Sequence, residues 1–322
     1  MTLSNNSILR VENLVKYFPL KGKKDVVRAV DGVTFGVDEG KTFGVVGESG
    51  CGKTTLARVA LRLEEPTSGS VFFKDTDVTK LKRKDLRMVR RNMQIVFQDP
   101  FSALNPRSKL IEIVKRPLIL HKIVSNKDEA NARAMELLSL VNIPLEKANR
   151  YPHELSGGMR QRACLARSLA SNPSVIFLDE PTSALDVSVQ AKILNLLGDL
   201  QNKLKLTYIL ISHNIPVVKF ISHTIAVMYL GKFVEIASAD ILVDRHVHPY
   251  TEALISAVPS VDPKLKSASK PPIGEPPSRI TSIDKCRFCA RCSYAVDVCK
   301  KKEPPLIEIE QDHYVACFLH SK

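Results

Sequence analysis

The stretch "GESGCGKTT" from Gly47 to Thr55 has the residue types needed to hold a polyphosphate. It fits G-x-x-x-x-G-K-[ST] through Gly47, Gly52, Lys53 and Thr54. Glycines let a backbone fold tightly enough to aim several N–H groups at phosphate oxygens. Lys53 has the reach for β- and γ-phosphates, and the Thr54 hydroxyl can ligate Mg²⁺. Glu48, Ser49, Gly50, Cys51 and Thr55 complete the loop, with Cys51 as filler. A second candidate lies in "VIFLDEP". Asp179 ends an apolar run, where it could hold a metal, and Glu180 beside it could polarise a water. A third is "LSGGMRQR", in which Ser156, Gly157 and Gly158 open a helical run at a second phosphate-facing N-terminus.

The elements around these motifs suit the chemistry. "KTFGVV" reads as a strand before the loop, and "TTLARVALRL" as a helix after it. "SVIFLD" and "TYILIS" read as buried strands, "VSVQAKILNLLGDLQNKL" as a helix, and residues 125–141 carry helical spacing. "TIAVMYLGKFVEIA" gives two strands with a turn at Gly231, and "SILRVENLVKYF" an opening strand. "KGKKDVVRAVDGVTFGVDEG" reads as a hairpin-like pair ending at Glu39-Gly40. Strands alternating with helices imply an α/β fold with a mainly parallel core sheet.

Composition bounds the class. The chain has 322 residues, 44% hydrophobic, and a net charge of +13. That suits one large domain with an appendage, or two domains. No apolar run is long enough to span a membrane, and the start lacks a secretory pattern. Residues 80–91, "KLKRKDLRMVRR", hold seven basic residues and one acid. They read as a solvated helix face, with a nucleic-acid strip or an anionic-lipid contact as alternatives. No aromatic interleaving supports single-strand stacking, and no nucleic-acid partner is expected. Six prolines within residues 258–280 mark an extended linker.

The ordered set "GESGCGKTT", "IVFQDP", "LSGGMRQR", "VIFLDEP", "SALD" and "ISHN" closely resembles an ATP-binding-cassette ATPase over residues 8–255. The resemblance implies a P-loop NTPase core, an antiparallel β subdomain and a helical subdomain near residues 99–170. It also implies roles. Phe18 stacks on adenine, with Tyr17 as stand-in. Gln98 contacts Mg²⁺ and the attacking water. Ser156, Gly157 and Gly158 bind the γ-phosphate of an opposing subunit's nucleotide. Asp186 belongs to a dimer-contacting loop, and His213 touches the γ-phosphate. Thr54, Gln98 and Asp179 serve Mg²⁺, while Glu180, His213, Gln98 and Lys53 are catalytic. Where relatives carry Asp after that histidine, this chain has Asn214.

"VRAVDGVTFGVDEGKTFGVVGESGCGKTTLARVALRLEEPTSGSV", "MQIVFQDPFSALNPR" and "HPYTEALISAVPSVDP" resemble the dipeptide/oligopeptide importer branch, its F-type subunit more than its D-type. That branch implies a heterodimer with a second ATPase under two permeases, peripheral to the cytoplasmic membrane face. An extracellular solute-binding protein feeds it. An oligosaccharide importer is the alternative cargo class, and a soluble non-transport cassette ATPase the less favoured reading. The implied domains are a nucleotide-binding domain over 1–258, a linker over 259–285 and a Cys-rich extension over 286–322. Tails of this branch suggest Cys286, Cys292, Cys299 and Cys317 as ligands of a [4Fe–4S] cluster, with zinc or disulfides as alternatives. Cys289 is then a spare thiol or a substitute ligand, and His313 a packing or hydrogen-bonding residue rather than a ligand.

Overall fold

The structure is a computed structural model that describes residues 7–20, 22, 25–257, 274 and 285–320. The proline-rich linker lies outside these residues, apart from Gly274 and Lys285. The chain forms two compact units. One contains Met1–Asp38, Thr42–Lys80 and Ile211–Lys322; the other contains Glu39–Lys41 and Leu81–Leu210.

The first unit carries a four-stranded antiparallel sheet in the order Val26–Asp38, Ser7–Pro19, Ser68–Phe73, Thr76–Asp77. The expected hairpin over residues 21–40 is replaced by the single strand Val26–Asp38, which pairs with Ser7–Pro19. The alternation was real, but its partner lies upstream. Gly32 (φ +71°) bends this strand without ending it. The same unit places Thr42–Val46 parallel to Thr224–Tyr229. Lys232–Ser238, His313–Val315 and Ile307–Glu310 then add antiparallel. Phe35 stacks on Phe43 with ring centroids 4.6 Å apart, and both are buried. Each such side chain contributes about 1.5–3 kcal/mol by leaving water.

The second unit pairs Met93–Val96 parallel to Val175–Asp179, with Thr207–Ser212, which begins in this unit, beside the latter. Strand Val175–Asp179 is buried throughout, so it reads as a continuous apolar run. Helices Pro100–Ala103, Leu110–Leu120, Lys127–Leu140 and Gly157–Leu169 pack on one another. The basic helix Arg83–Asn92 buries only Leu86, as a solvated face should. No helix among the described residues is long and apolar enough to cross a membrane.

The C-terminal residues are built into the first unit's sheet. His313–Val315 pairs with Lys232–Ser238, and His313 Nε2 lies 2.9 Å from Glu235 Oε1 with both side chains buried. Arg287 donates to Asp31, to Glu303 and to the Leu230 carbonyl. Its side chain is 4% exposed. Phe288 meets Tyr229 and Tyr250, each at a centroid distance of 5.4 Å. Arg287→Ala would leave Asp31 with only the Tyr17 hydroxyl and the Arg28 guanidinium, at a cost of about 2 kcal/mol. We expect a lowered Tm and faster proteolytic loss of the C-terminal segment, read by timed digestion against the wild type.

Candidate functional site

The phosphate loop follows the buried strand Thr42–Val46 and leads into helix Lys53–Ala60. Gly52 caps that helix at φ +112°, and a Cβ there would stand 2.0 Å from the Ala29 carbonyl oxygen. Only glycine fits both the angle and the space. Lys53 is buried, and its ammonium donates to the carbonyls of Gly47 (2.7 Å) and Glu48 (2.8 Å). The loop's own carbonyls therefore fix the direction of its cation. Cys51 is buried beneath it, and burial pushes its thiol up out of the reactive range. Its carbonyl accepts the Gly231 N–H at 2.8 Å. Glu48 donates its N–H to the Tyr250 hydroxyl at 2.9 Å.

Of the adenine candidates, Tyr17 is committed elsewhere. Its hydroxyl donates to Asp31, and Arg28 lies 5.3 Å from its ring centroid. Phe18, the next residue along the strand, points to the opposite face. Its ring has Lys16 Nζ 4.8 Å from the centroid. His213 follows strand Thr207–Ser212 and is exposed. The Asn214 side chain accepts from the Val217 N–H at 3.3 Å and caps helix Ile215–Ile221. Asparagine caps a helix as well as aspartate does, so the departure from Asp preserves this local structure.

The second unit positions the other candidates. Gln98 Nε2 donates to Glu180 Oε2 at 3.0 Å. Asp179 is buried at its strand end, and Glu180 turns left-handed at φ +46°. Ser156 caps helix Gly157–Leu169 through the Met159 N–H. A Cβ on Gly158 would meet Val189 at 2.6 Å and one on Gly157 would meet Leu185 at 3.3 Å, so small residues let this helix start lie against residues 185–189. Asp186 accepts from Val189 N–H (3.0 Å) and Ser188 Oγ (2.8 Å), which hold its carboxyl below the usual range. It is the N-cap of helix Val187–Leu204, a structural task beside the expected place in a dimer-contacting loop.

The cysteine tail departs from expectation. All seven cysteines are free thiols, so the disulfide alternative falls. Among the described residues, no three His, Cys, Asp or Glu side chains converge as ligands of a metal ion. Neither zinc nor a [4Fe–4S] cluster on Cys286, Cys292, Cys299 and Cys317 gains support from this arrangement. Burial pushes the Cys286 thiol up to about 12 and Cys317 up to about 11, with neighbouring thiols adding to the rise. The segment is held in place by Arg287, Phe288 and the His313–Glu235 pair. His313 is thus a packing and hydrogen-bonding residue, as expected.

Sequence reasoning missed the residues that brace the loop. Tyr250 lies in the quoted "HPYTEALIS", but nothing in that string announces a bond to Glu48. Arg291 was passed over among the cysteines, yet its guanidinium grips the Glu48 carboxylate.

A glycine-rich loop between a buried strand and a helix has the form of a nucleotide-phosphate site, which places the chain in the class of P-loop proteins. Comparison with known proteins gives the family. Residues 30–183 match the model described as ABC transporter, and residues 234–299 match the model of the oligopeptide/dipeptide transporter C-terminal region. The "Probable peptide ABC transporter ATP-binding protein y4tS" of Sinorhizobium fredii is 47% identical over 98% of this chain and 91% of its own length. The "Oligopeptide transport ATP-binding protein AppF" of Bacillus subtilis is 45% identical over the whole of both. Among solved structures, a dimeric ATP-binding cassette in a post-hydrolysis state with ADP and Pi matches at TM-score 0.66 and 30% identity. It covers 72% of this chain and 98% of its own. The chain belongs to the ATP-binding proteins of the oligopeptide/dipeptide ABC transporter family, and it is an ATPase coupled to transport.

The brace behind the loop is acid-sensitive. His248 Nδ1 accepts the Tyr250 N–H at 3.0 Å, and burial pushes the imidazole from 6.5 down to about 4. Glu235 opposes that shift and His320 adds to it. Burial pushes Glu235 up, but hydrogen bonds from His313 and from the Val247 and His248 N–H groups outweigh it and hold its pKa low. Folded, His248 stays neutral; unfolded, it gains a proton near pH 6.5. The unfolded chain therefore binds more protons between pH 6.5 and 4, and stability falls by about 3 kcal/mol across that window from this residue. Glu235 adds a loss at lower pH. His248→Gln keeps an acceptor for the helix cap, and we expect it to flatten Tm against pH between 6.5 and 4.

Proposed function

We propose that this chain hydrolyses ATP to drive import of di- or oligopeptides, as one of two unlike ATPase subunits beneath a pair of membrane permeases. An extracellular solute-binding protein delivers the cargo. The observation that carries this reading is the full-length match to peptide and oligopeptide transport ATP-binding proteins, C-terminal region included. A dimeric solved relative supports pairing with a second cassette. The chain sits peripherally on the cytoplasmic membrane face, held by its permeases. An oligosaccharide importer would use the same machinery, since the ATPase need not touch the solute.

Each residue's part follows from its chemistry. Phe18 stacks on adenine. The loop N–H groups other than those of Glu48 and Cys51, which bond to Tyr250 and to the Glu48 carbonyl, hold the phosphates together with the ammonium of Lys53, and the helix Lys53–Ala60 adds its positive end. Thr54, Asp179 and Gln98 are the residues that would hold Mg²⁺, which neutralises phosphate charge when bound. Glu180 takes the proton of the attacking water, and the Gln98 amide fixes the orientation of its carboxylate. Ser156, Gly157 and Gly158 meet the nucleotide of the paired subunit, and His213 senses its own γ-phosphate.

Two variants separate binding from chemistry. Glu180→Gln removes the base but keeps a partner for Gln98. We expect kcat to fall about 10²–10³-fold with nucleotide binding retained. Lys53→Ala should abolish detectable nucleotide binding in a fluorescent-nucleotide titration. An active Glu180→Gln enzyme would sink the assignment of the base.

A further inference from the structure

The phosphate loop contains an acid, and an acid beside a polyphosphate site is a liability. Glu48 follows the first glycine of the loop. Its charge would repel incoming nucleotide unless it were turned away and neutralised. The structure does both with one residue from the distant C-terminal segment. Arg291 Nη1 donates to Glu48 Oε2 at 2.8 Å and Nη2 donates to Oε1 at 2.9 Å. This is a two-pronged pair across 243 positions of sequence. A lysine could not reproduce its geometry.

The pair is set rather than loose. The Arg291 side chain is 7% exposed, against 28% for Glu48. Its Nε donates to the Gly274 carbonyl at 3.2 Å. The guanidinium carbon lies 5.9 Å from the ring centroids of both Tyr229 and Phe288. Glu48 is fixed at every polar group: its N–H by Tyr250, its carbonyl by Lys53, its carboxylate by Arg291. Phe288 also packs on Tyr250, so the segment that supplies the arginine supports the tyrosine as well.

We propose that Arg291 is a positioning residue for nucleotide binding: it holds the phosphate loop through Glu48 and cancels that carboxylate's charge. The C-terminal segment thereby sets the nucleotide affinity of the ATPase. This rests on the reading that Gly47–Thr55 binds ATP.

The test is a double-mutant cycle on the full chain. MgADP affinity is measured by fluorescent-nucleotide titration for wild type, Arg291→Ala, Arg291→Lys, Glu48→Gln and the Glu48→Gln/Arg291→Ala pair. Lys53→Ala serves as the loss control, and far-UV circular dichroism with Tm reports folding. Arg291→Ala should weaken MgADP binding about tenfold, well short of a fully buried broken pair because Glu48 is part-exposed. Arg291→Lys, which keeps charge and bulk and guards against misfolding, should fall between it and wild type. The double variant should recover most of the loss, since no bare carboxylate remains. A merely structural arginine would lower Tm equally in both alanine variants without that recovery, and this result would overturn the proposal. So would wild-type affinity in Arg291→Ala alongside lost binding in Lys53→Ala. If Lys53→Ala binds as wild type does, the ATP-site reading fails instead.

Discussion

A phosphate loop must leave its inner face open, so nothing on that face can stabilise it before the ligand arrives. Everything that shapes it must come from behind. In this chain the back of the loop is held by the Gly231 N–H on the Cys51 carbonyl, the Tyr250 hydroxyl at Glu48, and the Arg291 fork on the same residue. Glycines let the backbone come close enough for this: a Cβ on Gly52 would run into the Ala29 carbonyl. Lys53 completes the arrangement by tying the carbonyls of Gly47 and Glu48 together. The rest of the first unit exists in the geometry that these contacts demand.

The second unit meets a different constraint. Two of its candidate residues, Ser156 and Asp186, sit where helices begin, and each helix start needs its own acceptor. Asp99, Ser156 and Asp186 supply one each. Residues that a family resemblance assigns to ligand contact are thus also local structure. The two duties are compatible for Ser156, whose oxygen has a second lone pair, and for Gly157 and Gly158, which offer N–H groups. They are compatible at Asp186 too, since Oδ1 takes both local bonds, from Val189 and Ser188, and a carboxylate has a second oxygen to offer.

The legibility of the sequence follows the range of the interactions. The phosphate loop, the acid pair and the serine-glycine helix start were readable because their chemistry is set by neighbours a few positions apart. The strands Val175–Asp179 and Thr207–Ser212 were readable because both faces are buried and the apolar run shows it. The hairpin over residues 21–40 was misread because alternation reveals a strand but not its partner, which lies at Ser7–Pro19. Arg291 was invisible for the same reason: its partner is 243 positions away. The cysteines drew attention because thiols at close spacing are rare, while the arginines between them carried the observed docking.

That docking adds charge pairs to a small apolar contact made by Phe288, Tyr314 and Val315. Residues 285–320 are too few to build a core of their own. They bury Arg287 against Asp31 and Glu303, Arg291 against Glu48, and His313 against Glu235. Such pairs add little net stability over an apolar contact of equal size, because desolvation offsets their attraction. What they add is register. Greasy surfaces could slide by a residue; a guanidinium that must meet one carboxylate cannot, since a shifted pair leaves two bare charges. The segment is thereby fixed in one place, and that place brings an arginine to the phosphate loop. A fold that needed only stability could have used leucines; one that had to place a charge beside an acidic loop residue needed these pairs.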